Sequence, residues 1–302
     1  ASDVYKRQVS NNYAPYVTRN CAGETLVLWS TTPAAGGNGA IYFQKIDDSG
    51  NAIGSTKVIA SDQDIDGQPN VTELRDGSLA ISFHDYDAGY REVYVALADA
   101  NGNVSSTFLA RDNTVPVGDY INPHIVDLGS SEFALFYDYN PNHPQLATID
   151  KLVQKFTYGG VNVGSETSVY ASSSGNTSNM VVSSDPVTLS DGNLAFITKD
   201  YSDGTNLNIV LSVIDGDDFT QLYQATLGTY SQTQDVVISV AAKDTGVVAA
   251  WTDVANQSAH IASSSNSLSL ESSAVISDAR IDTGALKVVT SLTTGREYID
   301  IA

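Results

Sequence analysis

Short apolar stretches recur along the chain, separated by polar turns rich in Gly, Asn and Asp. The runs TLVLW, SLAISF, EFALFY, NLAFI and VVAAW are apolar nearly throughout. A strand apolar on both sides is covered on both sides. A shorter β-type run lies before each and is expected to follow a proline, as at Pro15, Pro69 and Pro123, because a missing N–H is tolerated where a strand starts. A tight turn links the two runs, as at Asp76-Gly77 and Asp191-Gly192. After the apolar run come a longer loop, a third run such as IYFQKI or VYVALA, a second turn such as Ser49-Gly50-Asn51 or Asn101-Gly102-Asn103, and a fourth run.

This four-run pattern repeats. Pro15, Pro69 and Pro123 stand 54 residues apart, and the turn glycines Gly23, Gly77, Gly192, Gly246 and Gly295 continue the series around one insertion at 137–150. The units run approximately 9–61, 62–113, 114–174, 175–231, 232–280 and 281–302, the last cut off midway. Four antiparallel strands at this period predict an all-β fold, a β-propeller of four-stranded blades in a single domain over 9–302. A two-sheet sandwich predicts no such period, and a β-solenoid predicts shorter repeats. Ala80, Ala134, Ala195 and Ala249 recur inside the second run, where a small side chain lets neighbouring sheets approach.

Composition narrows the partners. There are 15 Lys+Arg against 35 Asp+Glu in 302 residues, a formal charge of −20. That charge repels phosphate backbones and anionic headgroups, so no nucleic acid and no membrane insertion are expected. Cys21 is the one cysteine, which excludes an intrachain disulfide and a thiolate zinc cluster. No apolar run approaches the ~18 residues of a membrane helix. Residues 1–8, ASDVYKRQ, fit no later pattern and read as a non-native or disordered leader, of the kind left by a sequencing adaptor in metagenomic assemblies. The far end, GREYIDIA, stops inside a strand pattern. The chain is therefore expected to be a piece of a longer protein with further domains, and a missing signal peptide says nothing about secretion.

The repeat resembles the tandem units of large secreted or surface proteins of bacteria, often those carrying calcium-binding RTX-like repeats. The resemblance rests on Pro69/Val71, the Leu74/Asp76/Gly77 turn, Phe83, Tyr94 and the Asp99/Gly102/Asn103 turn. Trp29, Tyr42, Asp47, Gly50 and Asn51 match in the first unit. It implies a propeller architecture and an extracellular setting rather than an activity.

Chemistry is expected on the face where the second-to-third-strand loops and the inter-blade loops meet. Asp62, Asp64 and Asp66 stand at i, i+2, i+4 and with Glu73 satisfy the sequence pattern of an EF-hand loop. Glu73 lies roughly 13 Å along the strand at about 3.3 Å per residue, too far to close back. The three aspartates alone are candidate ligands for weakly held Ca²⁺, against a solvated acidic turn. An Asp recurs at the end of the second run, Asp85, Asp138, Asp200 and Asp253, followed in three units by Tyr86, Tyr139 and Tyr201. Carboxylates beside tyrosines suit acid/base work on a sugar. A feature repeated in every blade is more simply a turn, with Asp capping loop N–H groups. The residues that break the repeat are His84, Arg91 and Glu92 in one loop, His143 in the insertion, and Lys199. Of these His84, Arg91, His143 and Lys199, with Tyr86, Tyr139 and Tyr201, form a candidate site for an acidic glycan or a carboxylate. No nucleophile elbow, zinc-protease helix, phosphate loop or dinucleotide fingerprint is present.

These readings favour a non-catalytic extracellular module that binds glycan or protein. The alternative is a carbohydrate-active enzyme, a glycoside hydrolase or polysaccharide lyase, using His84, Asp85, Asp138, Tyr139, Asp200 and Tyr201.

Overall fold

Among the described residues every regular element is a β-strand, and these strands form six antiparallel sheets. The computed structural model describes residues 11–12, 15–32, 39–63, 65, 69–87, 89–111, 118–141, 149–171, 183–201, 205–231, 236–243, 246–253, 256, 258–265, 270–277, 288–293 and 296–301. For 11–12, 32, 62–63, 87, 265, 270–277, 288–293 and 296–301 it describes the backbone alone. The first sheet holds β1 (Asn11–Asn12), β2 (Tyr16–Arg19), β3 (Thr25–Thr32), β4 (Gly39–Ile46) and β5 (Ala52–Gln63). The second holds β6 (Asn70–Glu73), β7 (Leu79–Asp87), β8 (Tyr90–Ala98) and β9 (Val104–Arg111). The third holds β10 (Asp119–Gly129), β11 (Glu132–Asn140), β12 (Asp150–Thr157) and β13 (Asn162–Ala171). The fourth holds β14 (Val187–Thr188), β15 (Leu194–Asp200), β16 (Asn206–Ile214) and β17 (Gln221–Ser231). The fifth holds β18 (Ile238–Lys243), β19 (Gly246–Asp253), β20 (Ser258–Ser265) and β21 (Leu270–Ser277); β22 (Val288–Thr293) and β23 (Arg296–Ile301) pair in the sixth. Consecutive strands pair within each sheet, one sheet per sequence repeat, and the fold is a β-propeller of four-stranded antiparallel blades. The chain divides into two compact units, residues 1–143 with 151–168 and residues 144–150 with 169–302.

As expected, a strand starts directly after a proline in three blades, β2 after Pro15, β6 after Pro69 and β14 after Pro186, but short pairings also precede these prolines, and Pro123 lies inside β10. Asn11 and Asn12 pair with Thr32 and Thr31, the chain breaks at Pro15, and Tyr16–Arg19 then pairs with the rest of β3. Ile65 bridges Asp85 before Pro69, and β6 continues along β7 after it. In the third blade the register shifts between Ile121 and His124, across Asn122 (φ 52°) and Pro123. Ser183 bridges Thr198 before Pro186. A proline removes one ladder donor, so the strand bulges there and resumes. The upstream stub extends the pairing beside the second strand toward the loop face.

Apolar faces then stack blade on blade within each unit. Leu79, Ile81 and Phe83 pack with Ala96 and Ala98 against Leu26, Leu28, Ile41 and Phe43 of the first blade. The opposite face of the second blade, Ala80, Val93, Val95 and Leu97, packs against Tyr120, Ile125, Phe133 and Leu135 of the third. Burying each such Leu, Ile or Phe contributes roughly 1.5–3 kcal/mol. In the second unit Ala195, Ile197, Ile209 and Leu211 pack against Val240, Val247, Ala249 and Trp251. The first blade departs from the expected two-sided burial: along β3, Leu26, Leu28 and Ser30 are buried, while Val27 and Trp29 are half-buried.

Turn chemistry follows the repeat. In the second blade the Leu74 carbonyl accepts from the Gly77 N–H, and Leu74 N donates to Ser78 O, both at 2.8 Å. At the other end, the Asn51 backbone N–H and side-chain amide hold the Asp47 carboxyl below the usual carboxylate range. The Asn103 amide and backbone N–H do the same for Asp99. Gly50 and Gly102 occupy this turn with φ of 81° and 75°. A Cβ on Gly50 would meet nothing within 4 Å, whereas one on Gly102 would sit 2.4 Å from a Phe43 ring carbon. Gly50→Ala is therefore expected to cost about 1–2 kcal/mol for left-handed backbone alone. Gly102→Ala should cost a further ~1–3 kcal/mol of overpacking. Denaturant midpoints of the two variants check this ordering.

Candidate active site

The four recurrent aspartates occupy four different environments. Asp85 lies in β7 directly opposite Glu92 of β8, and both are more than nine-tenths buried, at 8% and 7% exposure. Cross-strand partners share a face, and this face also carries the Phe83–Tyr94 pair, whose rings stack at 5.7 Å. The Tyr94 hydroxyl donates to Glu92 Oε2 at 3.2 Å. Arg91 and Glu92 are thus strand residues rather than loop residues, because β8 begins at Tyr90.

Asp138 does not repeat the Asp85 position. Ser82 pairs with Asn70, and Phe136 pairs with His124, at equivalent places in the two blades. Asp85 lies three residues beyond Ser82, but Asp138 lies two beyond Phe136. A one-residue difference sends the side chain to the other face. Asp138 accordingly points away from the Tyr137 face that packs on the second blade. There it pairs with Lys151 at 3.2 Å, each 1% exposed, and accepts from Asn122 Nδ2 at 3.0 Å. Lys151 also sits 5.9 Å from the Phe136 ring centroid. Tyr139 fills the register of Asp85 and stacks on Tyr120 at 4.8 Å.

In the second unit Asp200 lies opposite Asn208, and Asp253 opposite Ser258. Burial, with the charge of Asp200 and a hydrogen bond to it, pushes the Tyr170 phenol up. Asp253 is the aspartate that caps a loop: it accepts from the Asn256 N–H at 3.1 Å and from the Asn256 amide at 2.7 Å. His260 stacks on Trp251 at 5.3 Å and approaches Asp253 at 4.0 Å. Tyr201 packs against the apolar cluster that holds Ile197 and Leu211. Lys199 lies opposite Ile209 on β16.

On the other face of the second blade lie the remaining candidates. His84 is buried opposite Val93, and the nearby Ser82 hydroxyl donates to Pro123 O at 3.1 Å. The Arg91 guanidinium lies 5.5 Å from the centroid of the exposed Tyr86 ring. Asp119 grips Arg91 twice, accepting from its backbone N–H at 2.9 Å and its guanidinium at 3.2 Å. The charge expected to receive a substrate carboxylate is thus already met within the protein. Below it, Arg111 lies over Tyr120 at 4.9 Å and pairs with Glu166 at 3.1 Å. Tyr137 donates to the same Glu166 oxygen. Burial pushes Tyr120 up to about 12, and burial with the Glu166 bond pushes Tyr137 up. Tyr137 is thereby held as a neutral donor to Glu166 within the third blade, while Arg111 of the second blade lies on Tyr120 of the third.

His143, Asp64 and Asp66 lie outside the described residues, as does the side chain of Asp62. Among the described residues no group of three His, Cys, Asp or Glu is placed to hold a metal ion. Glu92, Tyr94, Asp119 and Lys151 were not singled out as site residues from sequence. One signal was available: Glu92 stands two positions before the tyrosine that recurs at Tyr42 and Tyr94.

No family model and no curated protein matches the chain. Solved structures do. The GH93 α-L-arabinofuranosidase of Fusarium graminearum with arabinobiose matches at TM-score 0.56 and 11% identity, over 91% of this chain and 83% of that one. The α-L-arabinanase of Penicillium chrysogenum with arabinobiose matches at TM-score 0.51 and 11% identity, over 83% and 77%. The endo-arabinase of Bacteroides thetaiotaomicron matches at TM-score 0.50 and 13% identity, over 87% and 93%. At these identities the likeness shows the β-propeller fold. It also corrects the expectation of a non-catalytic binding module, which leaned on the sameness of the blades. The same repeated architecture frames glycoside hydrolases, and in this chain the recurrent aspartates have unlike surroundings.

Proposed function

We propose that the chain is a carbohydrate-active enzyme of the glycoside hydrolase type, acting on a neutral polysaccharide. The observation that carries this reading is the opposition of Asp85 and Glu92 on one buried strand face. Directly opposed residues hold their Cβ atoms about 4.5–5.5 Å apart. Retaining glycosidases hold their two carboxyl groups about 5–5.5 Å apart. In such a pair one carboxyl gives its proton to the glycosidic oxygen as the C–O bond breaks, and the other, as carboxylate, takes the anomeric carbon. Water then displaces that carboxylate with the first group as base. Like charges facing each other in a sheet are destabilising, so a pair of this kind is retained for chemistry rather than for packing.

Arabinose-rich polymers are the first substrates to try, supported by the arabinobiose bound to the Fusarium and Penicillium enzymes. A neutral chain is favoured because Arg91 is already paired with Asp119, on the strand face opposite to Asp85 and Glu92. The repeat resemblance supports an extracellular setting. Ca²⁺ at Asp62, Asp64 and Asp66 is supported by their i, i+2, i+4 spacing. EDTA is then expected to lower the melting temperature, and added Ca²⁺ to restore it. The deciding experiment incubates the protein with arabinan, neutral xylans and glucans, and a uronate polymer, reading released oligosaccharides. Release from a neutral polymer, lost in Asp85→Asn and Glu92→Gln, supports the proposal. Release from none of them, or release indifferent to both substitutions, overturns it.

A further inference from the structure

We infer that Tyr86 is a stacking subsite for one sugar unit of a neutral glycan, next to the Asp85 and Glu92 carboxyls; this deepens the hydrolase reading above and rests on it for the ligand class. The tyrosine that follows the recurrent aspartate meets different surroundings in each blade. Tyr139 stacks on Tyr120 at 4.8 Å, and Tyr201 packs against the apolar cluster of the fourth and fifth blades. Of the three, Tyr86 alone is left open to solvent, at 37% exposure. Every other large apolar side chain exposed among the described residues is aliphatic.

The exposed ring is also braced. Arg91 lies directly across from it, with the guanidinium 5.5 Å from the ring centroid. Asp119 of the third blade holds Arg91 through its backbone N–H at 2.9 Å and its guanidinium at 3.2 Å. The ring therefore meets a ligand in a set orientation, and little further ordering is needed on binding. An aromatic ring takes the C–H face of a sugar by dispersion and apolar burial, with no charge required. That suits a neutral chain, since the charge of Arg91 is already matched. The Asp85–Glu92 and Tyr86–Arg91 pairs are consecutive rungs of β7 and β8, about 3.3 Å apart along the strands, and their side chains leave on opposite faces. Both rungs stand at the loop end of the blade, where β7 closes at Asp87 and β8 opens at Tyr90. A glycan lying across that end passes from the carboxyls to Tyr86, so the ring binds the unit beside the bond that is cleaved.

The test uses Tyr86→Ala and Tyr86→Phe of the full chain, each alone and combined with Glu92→Gln. Removing an exposed ring leaves the Arg91–Asp119 pair in place. The readouts are kcat and KM on the polymer that the wild type cleaves and on an aryl glycoside of the same sugar. The Glu92→Gln proteins are also run in native gels cast with arabinan, xylan or glucan, reading their retardation. Tyr86→Ala should raise KM on the polymer by roughly 3–10-fold, the worth of one aromatic contact, with kcat little changed. Its gel retardation should weaken in step. The effect on the aryl glycoside, too short to reach the ring, should be smaller. Tyr86→Phe, which keeps the ring, should restore both polymer KM and retardation. Polymer KM and retardation equal to wild type in Tyr86→Ala, or equal losses on polymer and aryl glycoside, overturn the subsite and leave the hydrolase reading standing. A wild type that cleaves no polymer, with retardation still weakened by Tyr86→Ala, overturns the hydrolase reading and keeps the subsite. Neither cleavage nor retardation overturns both.

Discussion

Lys151→Ala is expected to destabilise the chain by about 3–5 kcal/mol, the cost of leaving a buried partner charge uncompensated. The ammonium and the Asp138 carboxylate meet at 3.2 Å with 1% exposure each, so water cannot replace the lost partner. Asn122 Nδ2 donates to the second Asp138 oxygen and cannot neutralise it. The double variant Lys151→Met with Asp138→Leu removes both charges, and buried pairs replaced by packed apolar residues are often neutral or better. It should recover most of the loss, short of the roughly 1–3 kcal/mol for leaving the Asn122 amide unmatched. Arg19→Ala is the control. Arg19 and Asp48 also pair, but their side chains are 60% and 80% exposed, and such a pair contributes about 0–1 kcal/mol. Urea denaturation of the four proteins reads the order directly. A Lys151→Ala midpoint as close to wild type as that of Arg19→Ala would show that the pair is hydrated in solution.

Asp85→Asn and Glu92→Gln are expected to lower hydrolysis by roughly 10²–10⁴-fold each, the span of general acid–base catalysis. Both are near-isosteric, and each removes one of two facing acids. Stability should stay level or rise while activity falls, the trade-off of a site kept for function. The two variants should also differ from each other. The variant that lacks the acid keeps much of its activity on an aryl glycoside whose leaving group needs no proton, while the variant that lacks the nucleophile loses both substrates. Parallel melting curves and rates on polymer and aryl substrate check the pair. Equal losses on both substrates in both variants would remove the division of roles.

Much of the fold was legible in the residues. The 54-residue period, the Gly77 and Gly102 turns and the apolar second runs announced four-stranded blades, because strand period and turn conformation are local properties. The prolines were legible too, but only part of their meaning was. β6 starts directly after Pro69, as read, yet Ile65 already bridges Asp85 ahead of it. An isolated upstream residue has no periodicity to reveal its pairing.

The candidate site was half legible. Asp85 stood out by its place in the repeat, and Glu92 was noticed but assigned to a loop. Their opposition is a matter of register, and register is set jointly by two turns and two blade faces. Asp138 shows the same limit from the other side. Its sequence neighbours, Tyr-Asp-Tyr, look like the Asp85 series, yet one residue fewer after Phe136 turns it to the opposite face and into a pair with Lys151. Arg91 was read as a free cation for an acidic ligand; only the third blade, bringing Asp119 to within 3.2 Å, shows it engaged. The sequence by itself determined the strands, their repeat and the turns, since each depends on residues a few positions apart. The tertiary structure decided which acids face each other and which charges are already matched, because those depend on the parity of pairing and on what the neighbouring blade presents.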